Sequence, residues 1–154
     1  MDTRIETDCS TGESIIISLT QEEIDERNYV NLDKYKSDKI NELSVACSNA
    51  IELGFYSDLS PTVKHFFSFA KDPDQLNFGQ KASMLALNPN CNEIVWKTED
   101  AGILTFTRDE FMKILQDGEN HKMGNISKQW TLKAQVLASE TKDQIDTIVN
   151  NVVW

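Results

Sequence analysis

Positive charge, histidine, cysteine and long apolar runs are all scarce in this chain, and each shortage removes a class of explanation. Lys and Arg number 15 against 25 Asp and Glu, a formal net charge of −10 over 154 residues. A surface with that balance repels phosphate backbones, so nucleic acid is not an expected partner. Histidine occurs only as His65 and His121, and neither has a second histidine or a CxxC spacing nearby to complete a metal site. Cys9, Cys47 and Cys91 are odd in number and far apart, which fits no disulfide framework and points to synthesis in a reducing compartment. No apolar run approaches the roughly 18 residues of a membrane span. The first residues also lack the basic-then-apolar order of a secretion signal. Exit from the cell is therefore expected only by lysis or within a particle. No glycine-rich loop precedes a Lys-Ser or Lys-Thr pair, and Thr11-Gly12-Glu13-Ser14 reads as a turn without phosphate-loop spacing.

What is present fits one ordinary domain with an appended arm, long enough to bury a core without disulfides or metal. There is no internal repeat and no low-complexity segment. The acid excess is concentrated at one end: residues 1–30 hold eight acids and only Arg4 and Arg27 as bases. Such an arm is a solvated surface or a dock for a basic partner. Within it, Ile5, Thr7 and Cys9 alternate with polar residues, Ser10 to Glu13 offers a turn, and Ser14 to Leu19 forms a second β-rich run. The spacing predicts a small hairpin whose face of Ile15, Ile17 and Leu19 must be covered by something.

Thr20 and Glu23 then form a capping box, and neither Gly nor Pro follows until Gly54. Residues 21–53 can be one helix, or two broken near Asn31-Leu32-Asp33. The second half carries Ile40, Leu43, Cys47, Ala50 and Ile51 on one face, and Gly54 suits the left-handed position after a helix. The first half has only the thin stripe of Ile24, Tyr29, Leu32 and Tyr35, which describes an exposed connector or a helix needing a partner. After a Ser60-Pro61 break, Val63 to Phe69 reads as a short strand. Asp72-Pro73-Asp74-Gln75 places Asp72 at a cap and Pro73 at the first helical position, predicting a helix that Asn88-Pro89 ends. Its expected inner face is Leu76, Gly79, Ala82 and Leu85 or Ala86.

The richest stretch is IVWKTEDAGILTFTRDEFMKILQ, residues 94–116. Ile94, Trp96 and Thr98 alternate with Val95 and Lys97, Ala101-Gly102 supplies a turn, and Ile103 to Phe106 restarts a strand. Thr107 and Glu110 then form a capping box at the head of the longest helix, about 108–138. Its apolar set is Phe111, Ile114, Leu115, Ile126, Trp130 and Leu137, and Gly118 and Gly124 flank a polar middle where a local kink is expected. Thr141 with Gln144 begins a last helix bearing Ile145, Ile148, Val149 and Val152. The fold class is therefore α+β, with small antiparallel hairpins packed with several helices and no βαβ alternation.

Catalytic readings gain little from this scaffold. The acid pairs Glu99-Asp100 and Asp109-Glu110 evoke a glycosidase, whose two carboxylates must face each other across a cleft. One pair sits at a predicted turn, however, and the other in a first helical turn, where acids meet the positive end of the dipole. None of the cysteines has the local signature of an activated thiol, and Cys47 lies on an apolar helix face. No catalytic residue, cofactor or metal is expected. Trp96 and Trp130 read as core, together with Phe106 and Phe111, while Thr107 and Glu110 act structurally as the cap. Trp154 follows Val152-Val153, and so large an apolar residue must fold back or bury itself in a neighbour. It joins Ile15, Ile17 and Leu19 as a partner-binding candidate.

Residues 94–116 resemble a domain of unknown function encoded beside tail-fibre genes in many tailed phages and prophages, sometimes fused to tail-fibre or fibre-assembly proteins. DCSTGESIIISLTQEEI from Asp8, KINELSVACSNAIELGF from Lys39, HFFSFAKDPDQLNFGQ from His65 and HKMGNISKQWTLKAQVLAS from His121 are similar as well, as is the last helix to near Val149. The resemblance covers roughly residues 34–154 well and the leader loosely, and its motifs are architectural. It implies a non-enzymatic structural protein of a phage or phage-tail-like particle, made in the bacterial cytoplasm and located in the tail. Its implied partner is a tail-fibre or baseplate protein, with an oligomeric arrangement within the assembly left open. On this reading residues 1–33 are an attachment arm and 34–154 a tail-associated module. The alternatives are a tail-fibre assembly chaperone absent from the mature particle, or a tail-tip carbohydrate binder or cell-wall hydrolase.

Overall fold

Three threonines set where three of the helices begin. In the computed structural model, which describes residues 2–154, Thr20, Thr107 and Thr141 each accept the N3 amide. The side chain at N3, Glu23, Glu110 or Gln144, returns a bond to the cap amide. The elements run β1 (Thr3–Thr7), β2 (Ser14–Ser18), α1 (Gln21–Glu52), β3 (Phe55–Ser60), β4 (Val63–Phe67), α2 (Leu76–Leu87), β5 (Glu93–Thr98), β6 (Gly102–Thr107), α3 (Arg108–Ala138) and α4 (Lys142–Asn150). The strands pair in sequence as three antiparallel two-stranded sheets. The architecture is α+β, with one hairpin more than the sequence pattern foretold. No helix among the described residues is long and apolar enough to cross a membrane.

The missed strand is β3. Its buried positions are Phe55 and Ser57, and a buried serine disguises the alternation. Ser57 is tolerated there because its hydroxyl donates to the Asp117 carboxylate at 2.6 Å. The turn into β3 needs Gly54, whose φ is 94° and where a Cβ would lie 2.4 Å from the Phe67 carbonyl oxygen.

Helix α1 passes through Asn31, Leu32 and Asp33 unbroken, so residues 21–52 are one helix of 32 residues. Helix α3 likewise continues through Gly118 and Gly124. Gly118 serves close packing, since a Cβ there would meet the Phe55 ring at 2.9 Å. The two helices lie antiparallel. His121 Nε2 reaches the Ile51 carbonyl at 3.1 Å, Gln129 donates to Ser44 Oγ at 3.1 Å, and Lys36 donates to the Leu137 carbonyl at 2.9 Å.

Two apolar clusters hold the elements. One gathers Phe55, Phe67, Phe69, Phe78, Leu85, Ile94, Phe106, Phe111 and Ile114 beneath β3 to β6. The other joins Leu43, Val136 and Ile145 with Leu32, Tyr35 and Ile148 where α1, α3 and α4 meet. Trp130 is in neither and is 59% exposed, which corrects its assignment to the core. At the α-helical pitch, Val136 lies in line with Gly118 whereas Trp130 stands about 120° round the helix. The inward position is Gln129, and for the same reason Val136 is buried and Leu137 exposed.

The start of α2 also differs from the expected pattern. Asp72 has non-helical dihedrals, the Asp72-Pro73 peptide is cis, and residues Lys71–Gln75 form a π-helical turn before α2 proper. Asp74, rather than Asp72, supplies the local bonds, accepting from Ser68 Oγ at 2.5 Å and the Ala70 amide at 3.2 Å. The inner face is Phe78 and Leu85, while Leu76 is exposed. Phe78 dictates this rotation because its ring meets Trp96 at 4.6 Å and Phe111 at 6.2 Å between centroids.

Candidate functional site

The part of the molecule least explained by its own packing is the arm made of the β1–β2 hairpin and the first turns of α1. The register sets Ile5 opposite Ile16, Arg4 opposite Ile17 and Glu6 opposite Ile15. The Asp8 carboxylate accepts the Ser10 hydroxyl at 2.6 Å and its amide at 2.7 Å, and these bonds hold its pKa below the ordinary value. Gly12, with a φ of 75°, closes the turn by donating to the Asp8 carbonyl. At the open end Leu19 donates to the Asp2 carbonyl at 2.9 Å. The Arg4–Glu23 and Arg27–Asp2 ion pairs tie the hairpin to α1.

Those two arginines are the arm's only basic side chains, and both are engaged internally. Its outward surface is thus left acidic around an apolar patch. Ile5 and Ile16, side by side on one face, are 69% and 73% exposed, and Ile15 on the other face is 60% exposed. Ile17 and Leu19 are half-buried. The predicted face is therefore split, and its most open apolar pair, Ile5 with Ile16, was missed. Counting back from the turn would have found it, because the turn fixes which residues stand opposite.

The arm projects. Helix α1 approaches the start of α4 from about Asn28 onward: Asn28 and Tyr29 border a cleft with Glu140 to Asp143, Lys142 donates to Asn31 Oδ1 at 2.8 Å, and Tyr35 donates to Asp146 at 2.5 Å. Among the described residues, side-chain hydrogen bonds from 21–29 go only to the hairpin or to neighbours along the chain. At 1.5 Å per residue the stretch 21–27, before that cleft, is about 10 Å long. Trp154 is not part of this surface. It folds back against both apolar clusters, with Lys128 Nζ 5.3 Å from its ring centroid.

The remaining candidates act as structural links. His65 Nδ1 is 3.0 Å from Asp100 Oδ2, and Asp100 also accepts the Phe66 amide at 2.9 Å, joining β4 to the β5–β6 turn. The Phe66 amide first, and His65 after it, hold the Asp100 carboxyl below its usual range against the opposing effect of burial. His121 packs beside the rings of Phe55 and Phe69, at 6.1 and 6.3 Å between centroids. Glu99 pairs with Lys97 at 2.9 Å, and Glu110 is held by its cap. Burial raises the pKa of Cys47, and all three cysteines are free. Among the described residues no group of three or more His, Cys, Asp or Glu is placed to hold a metal ion. Trp96 packs on Phe111 at 5.1 Å and forms the floor of a groove of about 510 Å³ between α2 and β5.

The profile of a domain of unknown function, DUF4376, matches residues 34–149. The chain belongs to the DUF4376 family. No curated protein and no solved structure matches it. The DUF4376 segment begins inside α1 and ends in α4, so it holds both apolar clusters apart from Leu32, Val152 and Trp154. The hairpin and the projecting turns of α1 lie outside it.

Proposed function

We propose that this chain is a non-enzymatic structural component of a phage or phage-tail-like particle, associated with the tail fibre or baseplate. Residues 34–154 serve as the rigid module and the arm before them as the attachment element. The observation that carries the attachment role is the arm itself, which lies outside the family segment and presents an uncovered Ile5–Ile16 pair within an acidic surface. A two-stranded hairpin alone is marginal in water, and strands with both edges open are ready templates for a partner. The tail setting rests on the resemblance of the sequence motifs, and synthesis in the bacterial cytoplasm belongs to the same reading.

Mass spectrometry of purified mature particles tests it. The chain should appear in fixed ratio to the fibre or baseplate protein. Its absence from particles, combined with retained binding to the fibre protein, would make it an assembly chaperone instead. A permanent contact should bury roughly 2,000 Å² or more with an apolar centre, whereas a transient one can be smaller and more polar.

A further inference from the structure

We propose that the groove between α2 and the free edge of β5 binds an extended peptide segment of a partner protein by strand addition. Main-chain groups alternate in direction along a strand. The Glu99 amide donates to the Phe66 carbonyl of β4 at 2.9 Å, so the N–H and C=O of Lys97 and Val95 point to that same side, away from β6. This bond, from the residue just past β5, is the only main-chain bond between β4 and the β5–β6 hairpin among the described residues. Past it the chain after β4 turns off at Ser68, whose hydroxyl is bound by Asp74. The outward groups of Lys97 and Val95 therefore have no partner among the described residues and open into the groove that both residues line.

The groove has the other components of a peptide site. Its floor is Trp96 on Phe78, and its far wall is α2, which contributes Asn77, Gln80 and Lys81. None of these three polar side chains makes a hydrogen bond or ion pair among the described residues. Lys97 is already matched by Glu99, which leaves Lys81 on α2 and, at the Ser68 end, the Asp74 carboxylate, bonded only to neutral donors, as the charges without an ionic partner. At about 510 Å³ the cleft falls within the usual range for ligand sites. That space, walled by a helix, suits a single strand and not the folded edge of a second copy. The expected occupant alternates apolar and polar residues, places an apolar side chain over Trp96 and carries an acidic residue towards Lys81.

Selection of a random heptapeptide display library on the full-length chain, with hydrogen exchange of the Val95 and Lys97 amides, tests this. In the free chain those two amides should exchange much faster than those of Ile94 and Trp96. Selected peptides should share the alternating pattern with an acidic residue, and synthetic versions should slow both amides at least about tenfold. Lys81→Glu, at a helix position with no bond to lose, should weaken their binding by about tenfold or more. Lys97→Pro removes an outward-facing donor, which an edge strand tolerates, together with the exposed Lys97–Glu99 ion pair, and should abolish binding while the rest of the β5–β6 exchange pattern persists. If Lys97→Pro unfolds the chain, Lys81→Glu and the exchange data decide. Already-protected Val95 and Lys97 amides, failure to enrich any peptide, or peptides indifferent to Lys81→Glu would overturn the proposal. So would protection that rises with protein concentration in the absence of peptide, which would place a second copy on the edge.

Discussion

The arm and the module differ in what holds their apolar residues. In the module Leu85, Phe111, Ile114, Val136 and Ile145 are all 0% exposed, and the helices and hairpins cover one another. In the arm Ile5 and Ile16 stand in solvent, and the hairpin is held to the rest by exposed ion pairs, which contribute little to stability. Helix α1 belongs to both regions. The same 32 residues run from thinly apolar first turns to a remainder built into two cores. On the attachment role proposed for the arm, stability and binding should separate along one helix, which substitutions can test.

The largest separation should come from Phe111→Ala set against Trp130→Ala. Phe111 is fully buried among Phe78, Trp96 and Phe106, so its truncation should cost about 3 to 5 kcal/mol by urea unfolding. Trp130, although the larger residue, should change stability by no more than about 0.5 kcal/mol because it is mostly in solvent. An equal loss from both would mean that Trp130 is covered in solution.

The glycines of α3 sharpen the comparison within one helix. Gly118→Ala drives a methyl group into the Phe55 ring and should destabilise by about 1 to 3 kcal/mol. Gly124→Ala meets nothing within 4 Å and should stabilise by up to about 1 kcal/mol through helix propensity. Thermal midpoints moving in the same direction would sink this reading.

Much of the module was legible because local signals agreed with tertiary packing. The boxes at Thr20, Thr107 and Thr141 mark helix starts that depend on neighbouring residues alone, and Ala101-Gly102 marks a turn in the same way. Legibility failed where distant residues decide. Phe78 rotates α2 because of Trp96 and Phe111, Ser57 is buried because Asp117 waits for it, and Gln129 faces inward towards Ser44. The site was half legible: the acidic hairpin is evident, but the choice between its two faces depends on register. The groove beside β5 left no local signal, since its helix wall consists of ordinary surface residues of α2.

A smaller effect is expected at the head of α3. Thr107→Ala should cost about 1 kcal/mol. The cap also makes stability depend on pH, because the Thr107 amide and hydroxyl lower the pKa of Glu110. A carboxylate with a depressed folded-state pKa contributes its stabilisation in full above the ordinary carboxylate range and loses it as pH falls through the folded value. The difference in unfolding free energy between wild type and Thr107→Ala should therefore shrink on acidification. A pH-independent difference would mean that the hydroxyl cap acts without Glu110.

The smallest change in stability and the clearest change in binding should come from the arm. Ile5→Thr with Ile16→Thr replaces two exposed side chains by β-compatible polar ones without adding charge and should leave the unfolding free energy within about 0.5 kcal/mol of wild type, yet abolish capture of the fibre or baseplate protein in co-expression pull-downs. A truncated chain beginning at Asp33 should also fold, because it retains both apolar clusters except Leu32, and should fail in the same assay. Since Arg4 and Arg27 are engaged internally, a partner meeting this surface should bring basic residues to its rim. Association should then slow as salt is raised, while dissociation, governed by the apolar centre, changes less. Retention of the partner by both variants would move the interface onto the module. An unfolded truncation would show instead that the arm completes the core.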